Sequence, residues 1–196
     1  MADLSPTTLA EIVGAQQVMD IGIRPLWAPI PRIAGPAFTV RCPPGDHLML
    51  HAAIYQAPPG SIVVVESGDV SHALAGGNVC AVAQRNGIAG FVLDGAIRDI
   101  AEVRAMGFPV FARGVIPVPG GKTAVLPLNV TIRCGGVPVQ AGDLVVADEE
   151  GIVVVPAAQR DEVLSRGAAK HAEEEAQTLD EWEEAHRVRI TGLLGG

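Results

Sequence analysis

The sequence predicts an α/β chain with a parallel βαβ core, a β-rich second half and a charged helical C-terminus. Three observations predict it. From Ser61 to Arg113, apolar β-branched runs alternate with helical segments in the order strand, helix, strand, helix, strand, the pattern of parallel strands joined by right-handed crossovers. After Gly114 the texture changes to short apolar runs separated by Gly, Pro and Asp. From about Ala157 to Leu194 the chain is charged, with Glu173-Glu174-Glu175 and Asp180-Glu-Trp-Glu-Glu184. The expected division is one α/β/β unit over residues 1–156 and a helical extension over 157–196, lying at a subunit interface.

Each element has a local reason. Ser5-Pro6 supplies an N-cap and a first-turn proline for a helix running to about Met19. Ile33–Val40 reads as a strand with a proline-bearing start. Asp46 caps a helix to about Gln56, with Leu48, Leu50, Ala53 and Ile54 on its apolar face. The turn Pro58-Pro59-Gly60 feeds Ser61–Glu66, a continuous β-branched strand buried on both faces. Gly76–Asn86 reads as a helix stopped by Gly87, Ile88–Leu93 as a buried strand, Arg98–Met106 as a helix stopped by Gly107, and Pro109–Arg113 as a strand. Four short strands follow at Asn129–Cys134, Val137–Val139, Asp143–Ala147 and Ile152–Val155, the last two joined as a hairpin through Gly151.

Composition narrows the function. With 196 residues, 48% hydrophobic and 18% charged, the chain builds a packed core rather than a disordered coil. A formal net charge of −8 without a basic stripe excludes nucleic acid as the expected partner. Cys42, Cys80 and Cys134 are odd in number and widely spaced, which fits buried reduced thiols and neither a disulfide framework nor a zinc site. The first six residues show no signal-peptide pattern, and no apolar run approaches the roughly 20 residues that span a bilayer. The expectation is a cytoplasmic protein with no membrane partner.

The chemistry concentrates in Gly90-Phe-Val-Leu-Asp-Gly-Ala-Ile-Arg98-Asp99. A buried strand is expected to break at Asp94-Gly95 and deliver Arg98 and Asp99 to the next helix, at the strand end where open α/β sheets bind ligands. Arg in a first helical turn suits an anion, and one carboxylate with waters is an ordinary way to hold Mg²⁺. A plainer reading of the pair is a surface dipeptide whose Asp suits the helix macrodipole. About twenty residues upstream, Gly76-Gly77-Asn78 opens the preceding helix. It is either a flexible helix start or a place where a substrate carboxylate meets bare N–H groups. It matches neither a dinucleotide fingerprint nor a Walker loop. His47 and His51 share a helical face, but Leu48 stands where a metalloprotease has Glu, so no metal role is expected for them. His72 is expected in a solvated loop, and His171 and His186 on a solvent-facing tail. No G-x-S-x-G elbow occurs, and no lysine lies near these motifs, which disfavours a Schiff base.

These residues resemble the RraA-like family, which includes the 4-hydroxy-4-methyl-2-oxoglutarate/4-carboxy-4-hydroxy-2-oxoadipate aldolases. The matching pieces are Ile33–Val40, Pro59-Gly60, Gly87–Gly90, Val92–Gly95, Arg98-Asp99, Gly107–Phe111, Gly142–Asp148 and Gly151–Pro156, in the expected order over most of the chain. The resemblance implies a swivelling β/β/α fold and a homotrimer, or a hexamer of paired trimers. It implies a divalent metal, Mg²⁺ or Mn²⁺, on Asp99, with Arg98 contacting the keto acid oxygens. Backbone amides of Gly76, Gly77, Asn78 and Val79 would hold the pyruvyl carboxylate. A C-terminal glutamate of a neighbouring subunit, placed at Glu174 with Glu173 and Glu175 adjacent, would contact metal-bound water; the plainer reading of these acids is a solvated helix face. The expected activity is class II pyruvate aldolase or oxaloacetate decarboxylase. The chain departs from the family's aldolases at Gly77, where they carry Asp; Asn78 is the nearest replacement in sequence. That departure supports the alternative, a non-catalytic regulator binding a protein such as a ribonuclease, whereas Asp99 beside Arg98 argues for an enzyme.

Overall fold

The structure is a computed structural model describing residues 4–195. Ser5 caps the first helix as expected: α1 spans Pro6–Val13, and the Ser5 hydroxyl accepts the Thr8 N–H at 3.1 Å. The helix stops at Gly14, at φ 85°, well before Met19. A single 3-10 turn, Ala15–Gln17, follows, and tertiary pairing takes over at Met19. Met19 N–H donates to the Ile152 carbonyl at 3.0 Å and Asp20 N–H to that of Gly135 at 2.9 Å.

The strands are β1 (Arg24–Pro25), β2 (Ile33–Arg41), β3 (Ile62–Glu66), β4 (Ala73–Ala75), β5 (Gly90–Ile97), β6 (Val110–Val115), β7 (Ile132–Cys134), β8 (Val137–Val139), β9 (Leu144–Asp148) and β10 (Gly151–Val155). One sheet runs β1-β6-β5-β3-β2-β9-β10, with β4 against the end of β5. β2, β3, β5 and β6 are parallel, as the alternating pattern requires. β9 and β10 form the expected antiparallel hairpin. The β-rich half is not a separate sheet. β2 pairs with β9 through residues 33–36 and with β3 through residues 37–41, so one long strand joins both halves. Only the β7–β8 hairpin stands apart.

Helices α2 (Leu48–Ala53), α3 (Gly77–Arg85) and α4 (Ile100–Ala105) cover one face of the sheet. The core on that side holds Leu50, Leu93, Phe91 and Phe108. On the other face, Val64, Val92 and Phe111 meet Ile132 and Val139 of the hairpin. A third cluster seats Leu9 and Val13 of α1 and Val163 of α5 (Arg160–Ala176) on β9 and β10. α6 (Leu179–Leu194) buries no residue. The tail is two helices, because Thr178 forms a capping box with Glu181 and starts a new one. All three cysteines are free and buried, and burial pushes the Cys42 and Cys80 thiols up to about 11 and about 12. No helix among the described residues is long and apolar enough to cross a membrane.

Two strand expectations need correction, the first being β7, which starts at Ile132 and not at Asn129. β5 does not break at Asp94-Gly95 but continues to Ile97, with a register shift between Leu93 and Ala96. Asp94 is a structural anchor: it pairs with Arg113 and accepts the Gly135 N–H at 2.9 Å. Gly95 makes room for β4, since a Cβ there would lie 2.6 Å from Leu74 Cδ1.

Candidate active site

The prolonged β5 sets the geometry of the Arg98–Asp99 pair. Arg98 N–H donates to the Ala75 carbonyl at 2.9 Å, pinning the strand end to β4. Asp99 then adopts a left-handed backbone, φ 59° and ψ 37°, which costs about 1–2 kcal/mol for a residue with a Cβ. Its carbonyl accepts the N–H groups of Glu102 and Val103, both at 3.1 Å, and so starts α4. Both residues therefore precede the helix instead of lying in its first turn. The twist turns the Asp99 carboxylate back onto α3, where Oδ2 accepts the Gly77 N–H at 3.1 Å. Arg98 Nε stands 3.6 Å from the same oxygen, too long for a hydrogen bond. The two side chains are 44% and 39% exposed. They are neighbours with room for a guest, not a sealed ion pair.

Gly76 and Gly77 are required by close approach. A Cβ on Gly76 would overlap Asp99 Oδ2 and lie 3.0 Å from Arg98 Cγ; one on Gly77 would overlap Glu102 Oε2. The carboxylate beside the bare position 77 is thus that of Glu102.

These groups line a cavity of about 600 Å³. Of the residues singled out in sequence, Arg98, Asp99, Gly76, Asn78 and Val79 line it. Gly77 lies behind them with its N–H committed to Asp99. Asn78 and Val79, in the first turn of α3, have N–H groups with no acceptor inside the helix. Glu174 does not line the cavity of its own chain; it sits on α5, 2.9 Å from Lys170 Nζ.

Sequence reasoning missed four ionisable lining residues: His47, His51, Glu102 and Lys122. The absence of a lysine near the site is corrected by Lys122. The loop carrying it is tied back through the buried Asp46, whose Oδ2 accepts the Thr123 N–H at 2.6 Å, the Thr123 hydroxyl at 2.9 Å and the Ala124 N–H at 3.2 Å. The one available signal was the helical spacing of His47 and His51, which put both on one face.

Those two imidazoles stack with centroids 4.3 Å apart and planes 11° from parallel. His47 Nδ1 lies 3.1 Å from the Ala73 carbonyl, so this nitrogen is the donor. Burial, then the neighbouring His47 and Lys122, push His51 down from 6.5 to about 4, against a raising hydrogen bond to the Leu74 backbone. His51 is therefore neutral at pH 7. An unfolded chain takes up this proton near 6.5, so the contribution of His51 to stability falls as pH drops from 6.5 towards 4. In an NMR titration, the His51 ring protons should titrate with a midpoint near pH 4, well below the ordinary 6.5. Lys122→Met should move that midpoint upward.

The donors facing the cavity suit a hard cation. Among the described residues no group of three His, Cys, Asp or Glu is placed to hold a metal ion, which does not fit tetrahedral zinc. Carboxylates at Asp99 and Glu102 fit Mg²⁺ or Mn²⁺, ions that keep several waters and take one or two protein carboxylates.

Comparison with known proteins agrees with this architecture. Residues 2–154 match the family model described as RraA-like, Aldolase/RraA. A Halalkalibacterium halodurans protein named "Putative 4-hydroxy-4-methyl-2-oxoglutarate aldolase" is 44% identical over 147 residues, 74% of this chain and 70% of that one. A solved structure of an uncharacterized Pseudomonas syringae protein superposes with a TM-score of 0.79 at 31% identity, covering 88% of this chain and 82% of that one. Streptomyces coelicolor RraAS2, described as an unusual member of the RNase ES inhibitor RraA protein family, superposes with a TM-score of 0.74 at 29% identity, covering 95% and 93%. Mixed sheet, crossover helices and the match over most of the length lead to one assignment: the chain belongs to the RraA-like, Aldolase/RraA family.

Proposed function

We propose that this protein is a divalent-metal-dependent lyase that cleaves a C–C bond in a 2-keto acid and releases pyruvate, acting on 4-hydroxy-4-methyl-2-oxoglutarate, oxaloacetate or both. The observation that carries this reading is the open Arg98–Asp99 pair at the mouth of α3, with a guanidinium and a carboxylate on one cavity wall. Asp99 would hold Mg²⁺ or Mn²⁺, which supplies Lewis-acid polarisation of the 2-keto oxygen. Asn78 and Val79 offer their free N–H groups to the substrate carboxylate at the positive end of α3. Arg98 faces the oxygen that gains charge as the C3–C4 electron pair moves toward the keto group and an enolate forms. A preorganised donor of this kind is worth about 3–4 kcal/mol in the transition state. Cleavage of a 4-hydroxy acid also needs a base for the hydroxyl proton, whereas loss of CO₂ from oxaloacetate needs none. Oxaloacetate is therefore the expected better substrate.

Assembly would complete the site. Glu174 stands on the exposed part of α5, and in a homotrimer, or a hexamer of paired trimers, it would reach the metal shell of a neighbouring subunit. The second reading, a non-catalytic regulator of a ribonuclease, is favoured by the likeness to RraAS2. One assay separates them. Pyruvate release from oxaloacetate and from 4-hydroxy-4-methyl-2-oxoglutarate is expected with Mg²⁺, and its loss with EDTA and in Asp99→Ala. Rates indifferent to EDTA would contradict metal dependence. No release from either substrate, with ribonuclease inhibition instead, would select the regulator.

A further inference from the structure

We infer that Glu102 is a second carboxylate of the cation site, and that the bare backbone at Gly77 is what admits it. The inference rests on the metal-dependent reading above. Glu102 opens α4 and lies on the exposed side of that short helix, where an acid in the first turn needs no reason beyond the macrodipole. Its side chain nevertheless turns across to α3. A Cβ built on Gly77 would overlap its Oε2, and would lie 3.1 Å from Cδ and 3.3 Å from Cβ, so the whole glutamate lies along the first residue of α3. Asp99 Oδ2 fills the corresponding space beside Gly76. Two adjacent glycines thus each lodge a carboxylate, and both acids line the same cavity.

Two carboxylates held against neighbouring peptide units repel unless a cation lies between or beside them. Among the described residues Glu102 enters no ion pair, and Arg98 stands beside Asp99 at 3.6 Å. Arg98 and Lys122 bring positive charge to the same cavity but neither pairs with Glu102, and a divalent ion would answer its charge. Asp99 is held by the α3 N–H and by its constrained backbone, whereas Glu102 reaches the site on a longer and freer side chain. That suits a carboxylate that binds through the ion's water rather than displacing it.

Mn²⁺ titration of the purified full chain, followed by the electron paramagnetic resonance signal of the free ion, tests this without turnover. Glu102→Gln, which keeps shape and removes charge, should weaken Mn²⁺ binding by about tenfold to a hundredfold, the usual effect of removing an outer-sphere partner. Gly77→Ala should weaken it as much, because the new Cβ evicts the carboxylate although Glu102 is still present. Gly77→Asp combined with Glu102→Ala should regain most of the affinity, since Asp then occupies the vacated space. Wild-type affinity in Glu102→Gln, alongside loss in Asp99→Asn, overturns the role of Glu102 and leaves the metal-dependent reading standing. No Mn²⁺ binding by the wild-type chain overturns that reading and this inference with it.

Discussion

Arg98→Met should lower kcat/KM for pyruvate release by about a hundredfold to a thousandfold, with the fold intact. The magnitude follows from the loss of a charged donor at the point where negative charge develops, worth about 3–4 kcal/mol. The fold should survive because the Arg98 side chain is 44% exposed and makes no hydrogen bond that anchors another element. What holds this position is its backbone, through the N–H to the Ala75 carbonyl, and Met preserves that bond. Arg98→Lys is the more informative partner. An ammonium restores the charge but not the planar fork that, in the proposed reaction, would face the keto oxygen. Its KM should stay within about threefold of wild type while kcat falls by about tenfold to a hundredfold, the signature of an interaction made in the transition state. Full activity in Arg98→Met would remove the guanidinium from the reaction.

The sequence made the scaffold legible wherever one local rule decided the outcome. β-branched runs gave β3, β5 and β6, a serine cap with a first-turn proline gave the start of α1, and glycines ended α3 and α4. It misled where long-range contacts override local preference. Asp94-Gly95 has the chemistry of a turn, yet Arg113, Gly135 and Leu74 hold it inside a strand. The same distinction governs the site. Arg98, Asp99 and the Gly76–Val79 segment were readable because one βα junction and one helix start bring them together. His51 and Lys122 come from a separate helix and a distant loop, and only the folded chain places them on one wall. Glu102 is four residues from Arg98, but its role depends on the missing side chain at Gly77, a relation between two helices that spacing along the chain does not encode.

Asp46 is a buried carboxylate whose loss should destabilise the fold without touching the apolar core. It is 7% exposed and joins the start of α2 to the loop that carries Lys122. Burial alone would raise its pKa, but hydrogen bonds from the Thr123 and Leu48 backbones, the Thr123 hydroxyl and the Ala124 backbone outweigh it and hold the carboxyl at about 2, below the ordinary 3.8. A lowered carboxyl stabilises the folded chain fully above its ordinary pKa and ceases to do so as pH falls through its folded value. The displacement corresponds to about 2 kcal/mol at pH 7. Asp46→Ala also strands donors in a largely buried place, so the total loss should be about 2–4 kcal/mol. For a chain of this size that lowers Tm by about 5–12 °C. The wall formed by Pro119, Gly120 and Lys122 should loosen with it and raise KM for the keto acid. Urea unfolding of wild type and Asp46→Ala, compared at pH 7 and again between pH 4 and pH 2, separates charge from packing. The gap between the two proteins should narrow as the carboxyl protonates, and a gap independent of pH would mean that the ionised form contributes nothing.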